Sequence, residues 1–249
     1  MKLGLIGAGN MASALARGWG DPVLVYDAYR PRAEALVAEL GGEVVQSNGE
    51  LAQRADAVLL AHKPAGLERV AAELGGEAKG VISILGGVPL AALHAAYGAT
   101  PVVRMIPSVP VEVRQGVTCH ARDGDGDDQL EADAIALFQR VGLVMSVEES
   151  LMDVATGLMS CAPAYIALVA EAQVDAGVRA GMPADLAGEL VAANIGGTAA
   201  LLQARNMDTL AVRRSVTSPG GSTARGLSAL EHGGVRAAFD DALQAVLGR

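Results

Sequence analysis

The chain has 249 residues, room for one large domain or two modest ones, and 51% of them are hydrophobic, so a sizeable core is within reach. With 19 Lys and Arg against 28 Asp and Glu, the net charge of −9 argues against a nucleic-acid partner, whose phosphates need a basic surface. Aromatic residues are only 3%, so packing has to run through Ala, Gly and aliphatic side chains.

The N-terminus enters a strand directly, without a signal-peptide layout, and no apolar run reads as long and uninterrupted enough to span a membrane. Strands are expected at 2–6, 23–26, 43–46, 57–60, 81–84, 102–105, 116–120 and 143–146. Helices fall between them, for example at 11–19, 32–40, 67–74 and 128–141. This alternation predicts an α/β fold with a parallel, doubly wound sheet of Rossmann type over residues 1–149. The acidic stretch R-D-G-D-G-D between Ala121 and Asp128 reads as an exposed turn. It lacks the glycine placement and the bidentate Glu of a calcium loop, and no metal is expected.

After Glu149 the β-branched runs stop, and helices are expected at 151–160, 163–180, 183–204, 208–213, 223–232 and 235–247. Pro163 and Pro183 suit helix first turns, and Gly181 suits a helix stop. Such an all-helical domain, residues 150–249, has a broad apolar face and predicts a homodimer or higher homo-oligomer. Cys119 and Cys161 form neither a metal spacing nor a disulfide framework, which fits a reducing, cytoplasmic setting.

The first strand runs into G-A-G-N-M-A, residues Gly7 to Ala12, at the start of a helix. This is the dinucleotide fingerprint in its proper context: Gly7 for the tight turn, Gly9 for approach of the pyrophosphate, and Ala12 for close packing. The amides of Gly9, Asn10 and Met11 then face an anion at a helix N-terminus. Asp27 ends the second strand, where an acid binds ribose hydroxyls and repels a 2′-phosphate. Arg30 and Arg32 follow and offer the opposite preference. The cofactor is expected to be NADH or NADPH, with Asp27 tilting the choice slightly to NADH.

Four further segments carry a resemblance to the pyrroline-5-carboxylate reductase family, nearly end to end. They are A-H-K-P at Ala61–Pro64, S-I-L-G-G-V from Ser83, R-M-I-P-S-V-P from Arg104, and V-T-S-P-G-G-S-T from Val216, continuing to Gly226-Leu227 and Leu230-Glu231. The last is similar to the family signature V-T-S-P-G-G-x-T-x-x-G-L-x-x-L-E at every fixed place. The resemblance implies a Rossmann domain, a helical dimerisation domain, and hydride transfer from NAD(P)H to the C=N carbon of a small cyclic imino acid. It implies cofactor contacts from Ile6, Gly7, Ala8, Gly9, Asn10, Met11, Asn48, Ala61, His62, Lys63, Pro64, Ile84, Leu85 and Gly86. Substrate contacts are implied at Ser218, Gly221, Ser222 and Thr223, with Glu149 nearby.

Pro219-Gly220-Gly221 exposes backbone amides ahead of a helix, an anion cradle suited to a carboxylate. The Thr223 hydroxyl is placed to hydrogen-bond the ring nitrogen as the catalytic contact; alternatively Ser222 or Thr223 caps the helix. Glu149 either meets a protonated ring nitrogen or begins a helix. The chain departs from the family at Ser108-Val109 (usually Asn-Thr), at Cys161-Ala162 (usually glycine-bearing) and at His62 (usually apolar). These changes leave open a paralogue acting on another cyclic imine, such as a piperideine carboxylate, or a non-catalytic NAD(P)-binding regulator.

Overall fold

Short β-branched runs bounded by turn residues form one eight-stranded sheet. The strands are β1 (Leu3–Ile6), β2 (Val23–Tyr26), β3 (Gly42–Val44), β4 (Ala57–Leu60), β5 (Val81–Ser83), β6 (Val102–Pro107), β7 (Gly116–Arg122) and β8 (Gly142–Glu148), in the order β3-β2-β1-β4-β5-β6-β7-β8. The computed structural model describes residues 1–124 and 126–248; Asp125 of the acidic turn and the terminal Arg249 lie outside the described residues. The chain divides into two compact units, Met1–Pro163 and Ala164–Arg249.

The sheet is the expected parallel, doubly wound one from β3 through β6, with β7 parallel to β8. The pairing of β6 with β7 departs from it, running antiparallel with Ile106 opposite Cys119. The connection explains this: between Pro107 and Gly116 the chain makes only a 3-10 turn, Val109–Val113. A parallel crossover needs about a dozen residues or more.

Helices α1 (Asn10–Trp19), α2 (Arg30–Leu40) and α6 (Asp128–Gln139) cover one face, and α3 (Asn48–Arg54), α4 (Leu67–Leu74) and α5 (Leu90–Tyr97) cover the other. Alternation along each strand feeds both sides. Leu5, Val25, Leu59 and Ile82 join Leu15, Trp19 and Phe138 on the first; Ile6, Leu24, Val58 and Leu60 join Leu51, Val70, Leu74 and Leu93 on the second. Trp19 and Phe138 meet edge to face with centroids 5.6 Å apart, and the indole N–H donates to the Leu137 carbonyl at 3.1 Å. A third cluster joins Leu90, Ile106, Cys119 and Ala121 to Met152, so the chain just beyond residue 149 packs within the first unit. The helix expected at 151–160 is a short α7 (Met152–Ala155) followed by a π turn, Thr156–Ser160.

The second unit takes in α8 (Ala162–Arg179), α9 (Ala184–Ala204), α10 (Thr209–Ser215), α11 (Ser222–His232) and α12 (Val235–Val246). Among the described residues, only Ala187 and Val212 of these helices are buried. Leu168, Leu190 and Phe239 stand 64%, 53% and 47% exposed. Contrary to the sequence expectation, one helical run, Glu149–Arg179, contains an 18-residue window of mean hydropathy 1.4 and is by length and composition alone long and apolar enough to cross a membrane. An apolar helical surface of this extent needs a cover.

One close approach ties α1 to the β6–β7 connection. A Cβ on Gly18 would lie 2.2 Å from the Val111 carbonyl oxygen and 2.9 Å from Val141. Gly18→Ala is expected to cost about 1–3 kcal/mol by overpacking, read as a lower denaturant midpoint at unchanged slope.

Candidate active site

Between β1 and α1 only Gly7, Ala8 and Gly9 make the turn. Gly7 has φ +102°, and a Cβ there would sit 2.8 Å from the Ala61 carbonyl oxygen, so no L side chain fits. Its N–H donates to the Tyr26 carbonyl at 2.7 Å. Asp27 fastens the same turn from the next strand. Its Oδ2 accepts the Ala8 N–H and its Oδ1 accepts the Tyr29 N–H, each at 2.7 Å.

Helix α1 begins on Gly9 with no side-chain cap, and its first helical bond runs from the Ser13 N–H to the Gly9 carbonyl. A Cβ on Gly9 would meet nothing within 4 Å, so the space over this helix end is open. Unpaired amides and the positive end of the helix dipole make it an anion cradle.

Because the strand order reverses beside β1, the crevice between the ends of β1 and β4 is the topological switch point where such sheets bind ligands. A groove of about 690 Å³ lies there. Of the expected cofactor residues, Ile6, Gly7, Gly9, Asp27, Asn48 and the whole Ala61–Pro64 turn line it. Ala8 and Asn10 line an adjoining depression with Gly9. Met11 packs against the core, and Ile84 and Leu85 are themselves core residues, with Gly86 exposed beyond them.

Two buried acceptors in the groove have no partner among the described residues. Asn48 is 2% exposed; its Nδ2 donates to Glu73 Oε2 at 2.6 Å, and its Oδ1 is unpaired. His62 Nδ1 lies 2.8 Å from the Lys63 carbonyl, which can only accept, so Nδ1 carries the hydrogen and the unpaired Nε2 is an acceptor. Burial holds the His62 imidazole below its ordinary pKa and so in the neutral form. Leaving a buried polar atom unpaired costs about 1–3 kcal/mol, a penalty that a ligand donor relieves. With the open space over Gly9, these residues fit a dinucleotide.

The two arginines offered as phosphate grips are both engaged. Arg30 pairs with Glu34 at 2.7 Å and donates to Gln46 at 3.1 Å, and Arg32 lies over the Tyr29 ring, 5.5 Å from its centroid. Sequence reasoning missed Tyr29 and Arg69 as groove residues, and Glu73 behind Asn48. The i,i+4 spacing of Arg69 and Glu73, joined at 2.7 Å, marks that helix face but not what it borders.

Glu149 begins a 3-10 turn, Glu149–Leu151, one of the two roles its position allows. Its Oε1 accepts from Arg104, a 2%-exposed side chain on β6, and also from the Leu90 N–H at 3.1 Å. Helix α5 has Pro89 as its N-cap and no side-chain cap of its own, so Glu149 caps it from 59 residues away. The second oxygen, Oε2, is buried and unpaired. Nearby, Ser108 Oγ accepts the Val117 N–H at 2.9 Å, and Ser160 Oγ, closing the π turn ahead of Cys161, donates to the Pro107 carbonyl at 3.1 Å.

Ser218, Gly221, Ser222 and Thr223 belong to the second unit. Gly220 has φ +66°, a conformation that favours glycine, and a Cβ on Gly221 would press on Ser218 Oγ, which can rotate away, and lie 3.2 Å from the Ser218 carbonyl oxygen. The N-cap of α11 is Gly221, with no side-chain cap, so neither Ser222 nor Thr223 caps the helix. Both hydroxyls sit inside its first turn, Ser222 exposed and Thr223 half-buried.

A strand, glycine turn and uncapped helix opening on a groove at the switch point define a dinucleotide-binding, Rossmann-type domain of the oxidoreductase class. Residues 2–87 match the family model described as NADP oxidoreductase, coenzyme F420-dependent, and residues 149–249 match that of pyrroline-5-carboxylate reductase dimerisation. The chain is 36% identical over 258 residues to the pyrroline-5-carboxylate reductase of Synechocystis sp., covering 100% of this chain and 97% of that one. Among solved structures it is similar to the Streptococcus pyogenes 1-pyrroline-5-carboxylate reductase (TM-score 0.90, 27% identity, covering 100% and 97%). It also matches the NADP-bound Plasmodium falciparum pyrroline carboxylate reductase (TM-score 0.88, 27% identity, covering 99% and 95%). The chain belongs to the pyrroline-5-carboxylate reductase family.

Gly9 separates folding from binding. Since Gly9 has φ −74° and an added methyl meets nothing, Gly9→Ala is expected to leave stability within about 0.5 kcal/mol. The same methyl intrudes on the anion cradle, so dinucleotide affinity measured by calorimetric titration should fall roughly tenfold or more.

Proposed function

We propose that this chain reduces 1-pyrroline-5-carboxylate to L-proline with a reduced nicotinamide dinucleotide, NADH being slightly favoured. The observation that carries the reading is the glycine-closed bend ahead of α11, which pairs an uncapped helix N-terminus with the Thr223 hydroxyl in its first turn. The family membership supports it. A bound reduced nicotinamide supplies the hydride; the protein has to hold it about 3–3.5 Å from the imine carbon.

The amides of the bend grip the substrate carboxylate, and Thr223 orients the ring nitrogen by hydrogen bonding. Glu149, in the first unit, keeps a buried Oε2 with no hydrogen bond among the described residues. On the cofactor side, Asp27 offers a carboxylate to the ribose diol while Arg30 and Arg32 are held by their own partners. The apolar faces of α8 and α9 are covered by a second copy of the chain, as the dimerisation model over residues 149–249 supports. Cys119 and Cys161 are free thiols, which suits work in the cytoplasm.

Purified protein is expected to oxidise NADH in the presence of pyrroline-5-carboxylate, faster than with the six-membered piperideine carboxylate. The opposite order would assign the pocket, altered at Cys161 and Ala162, to the larger ring. Thr223→Ala should lower kcat about tenfold or more, the worth of one well-placed hydrogen bond, with the Kd for NADH unchanged; unaltered turnover would remove the role given to that hydroxyl. kcat/KM should be higher with NADH than with NADPH, and the reverse would mean that Arg30 or Arg32 leaves its partner to take a 2′-phosphate.

A further inference from the structure

We propose that Glu73 and His62 set the cofactor preference, by turning the buried wall of the groove into one that presents only hydrogen-bond acceptors. The proposal rests on the reading of this groove as the dinucleotide site.

An asparagine amide is symmetric in shape but not in chemistry: one end donates and the other accepts. Glu73 decides which end of Asn48 is left for a ligand. Its Oε1 is paired with Arg69 at 2.7 Å, and its Oε2 takes the Asn48 Nδ2 at 2.6 Å. An ionised carboxylate has nothing to donate, so Asn48 is locked with Nδ2 toward Glu73, and the atom it leaves unpaired is Oδ1. The Lys63 carbonyl acts on His62 in the same way, fixing the hydrogen on Nδ1 and leaving Nε2 as an acceptor. Burial reinforces this by keeping the ring uncharged.

Asn48 and His62 therefore add two neutral acceptors to the Asp27 carboxylate along one groove. Adenosine ribose hydroxyls can donate to such a wall, whereas a 2′-phosphate has only acceptor oxygens and negative charge. The cations bordering the groove do not reverse the balance: Arg69 is held by Glu73 and Arg32 lies on Tyr29, leaving Lys63 in the turn after β4. Glu73 is a positioning residue in this scheme. It does not line the groove and acts through Asn48.

Calorimetric titration of the intact protein with NADH and NADPH, without substrate, tests this. The wild type should bind NADH more tightly. Glu73→Ala releases Asn48 to turn its amide outward, and His62→Val removes an acceptor; each should narrow the NADH-to-NADPH affinity ratio by roughly fivefold, about one neutral hydrogen bond. Glu73→Gln keeps an oxygen for Asn48 and should restore most of the ratio, which a merely structural role for Glu73 would not require. Glu73 is 38% exposed at its side chain, so its variants should keep the wild-type melting temperature to within a few degrees. If both dinucleotides bind but neither Glu73→Ala nor His62→Val moves the ratio, the acceptor wall is wrong while the site stands. If neither dinucleotide binds the wild type, the site assignment fails and the proposal with it.

Discussion

The structure depends on one close approach, that of the Gly7 backbone to the Ala61 carbonyl at the end of the neighbouring strand. Two parallel strands can deliver their following turns side by side only if one turn has no side chain in the way. With that clearance, the positive end of α1 and the Ala61–Pro64 turn face the same space, and Asp27 fastens the arrangement from the end of β2. Geometry of this kind is rigid because it is over-determined: a positive-φ glycine, a carboxylate shared by two amides and a sheet buried on both faces each restrict the turn independently.

The charge balance of the site follows from which polar groups the fold has already satisfied. The chain carries net negative charge, yet its family acts on a carboxylate with an anionic cofactor. Backbone amides at the uncapped N-termini of α1 and α11 carry partial positive charge whatever the surface composition. Side-chain cations contribute little, since Arg30, Arg32, Arg69 and Arg104 all have partners of their own.

Much of this was legible in the sequence because local signals and tertiary demands agreed. β2 and β4 and helix α4 match their expected bounds, and the glycine turn and the P-G-G bend fall where the motifs put them. What escaped was non-local. The antiparallel β7 is a matter of connection length, not of strand pattern. The short α3 and α5 were not singled out, and α5 takes its cap from Glu149 rather than from its own flank. The partner of Asn48 is 25 residues away, a separation at which spacing says nothing. The hydroxyls of Ser222 and Thr223 look like caps in one dimension, and only the glycine at the helix start shows that they are not.

The Glu149 carboxylate has a consequence for how the protein is made. Arg104 is buried in β6, and its partner arrives 45 residues later, at the first position of the segment that matches the dimerisation model. A ribosome-bound chain that has emerged only as far as β8 holds a guanidinium with no carboxylate and an α5 with no lid on its amides. Completion of the first unit during synthesis therefore waits for the segment just past β8, which that unit uses to close its own core.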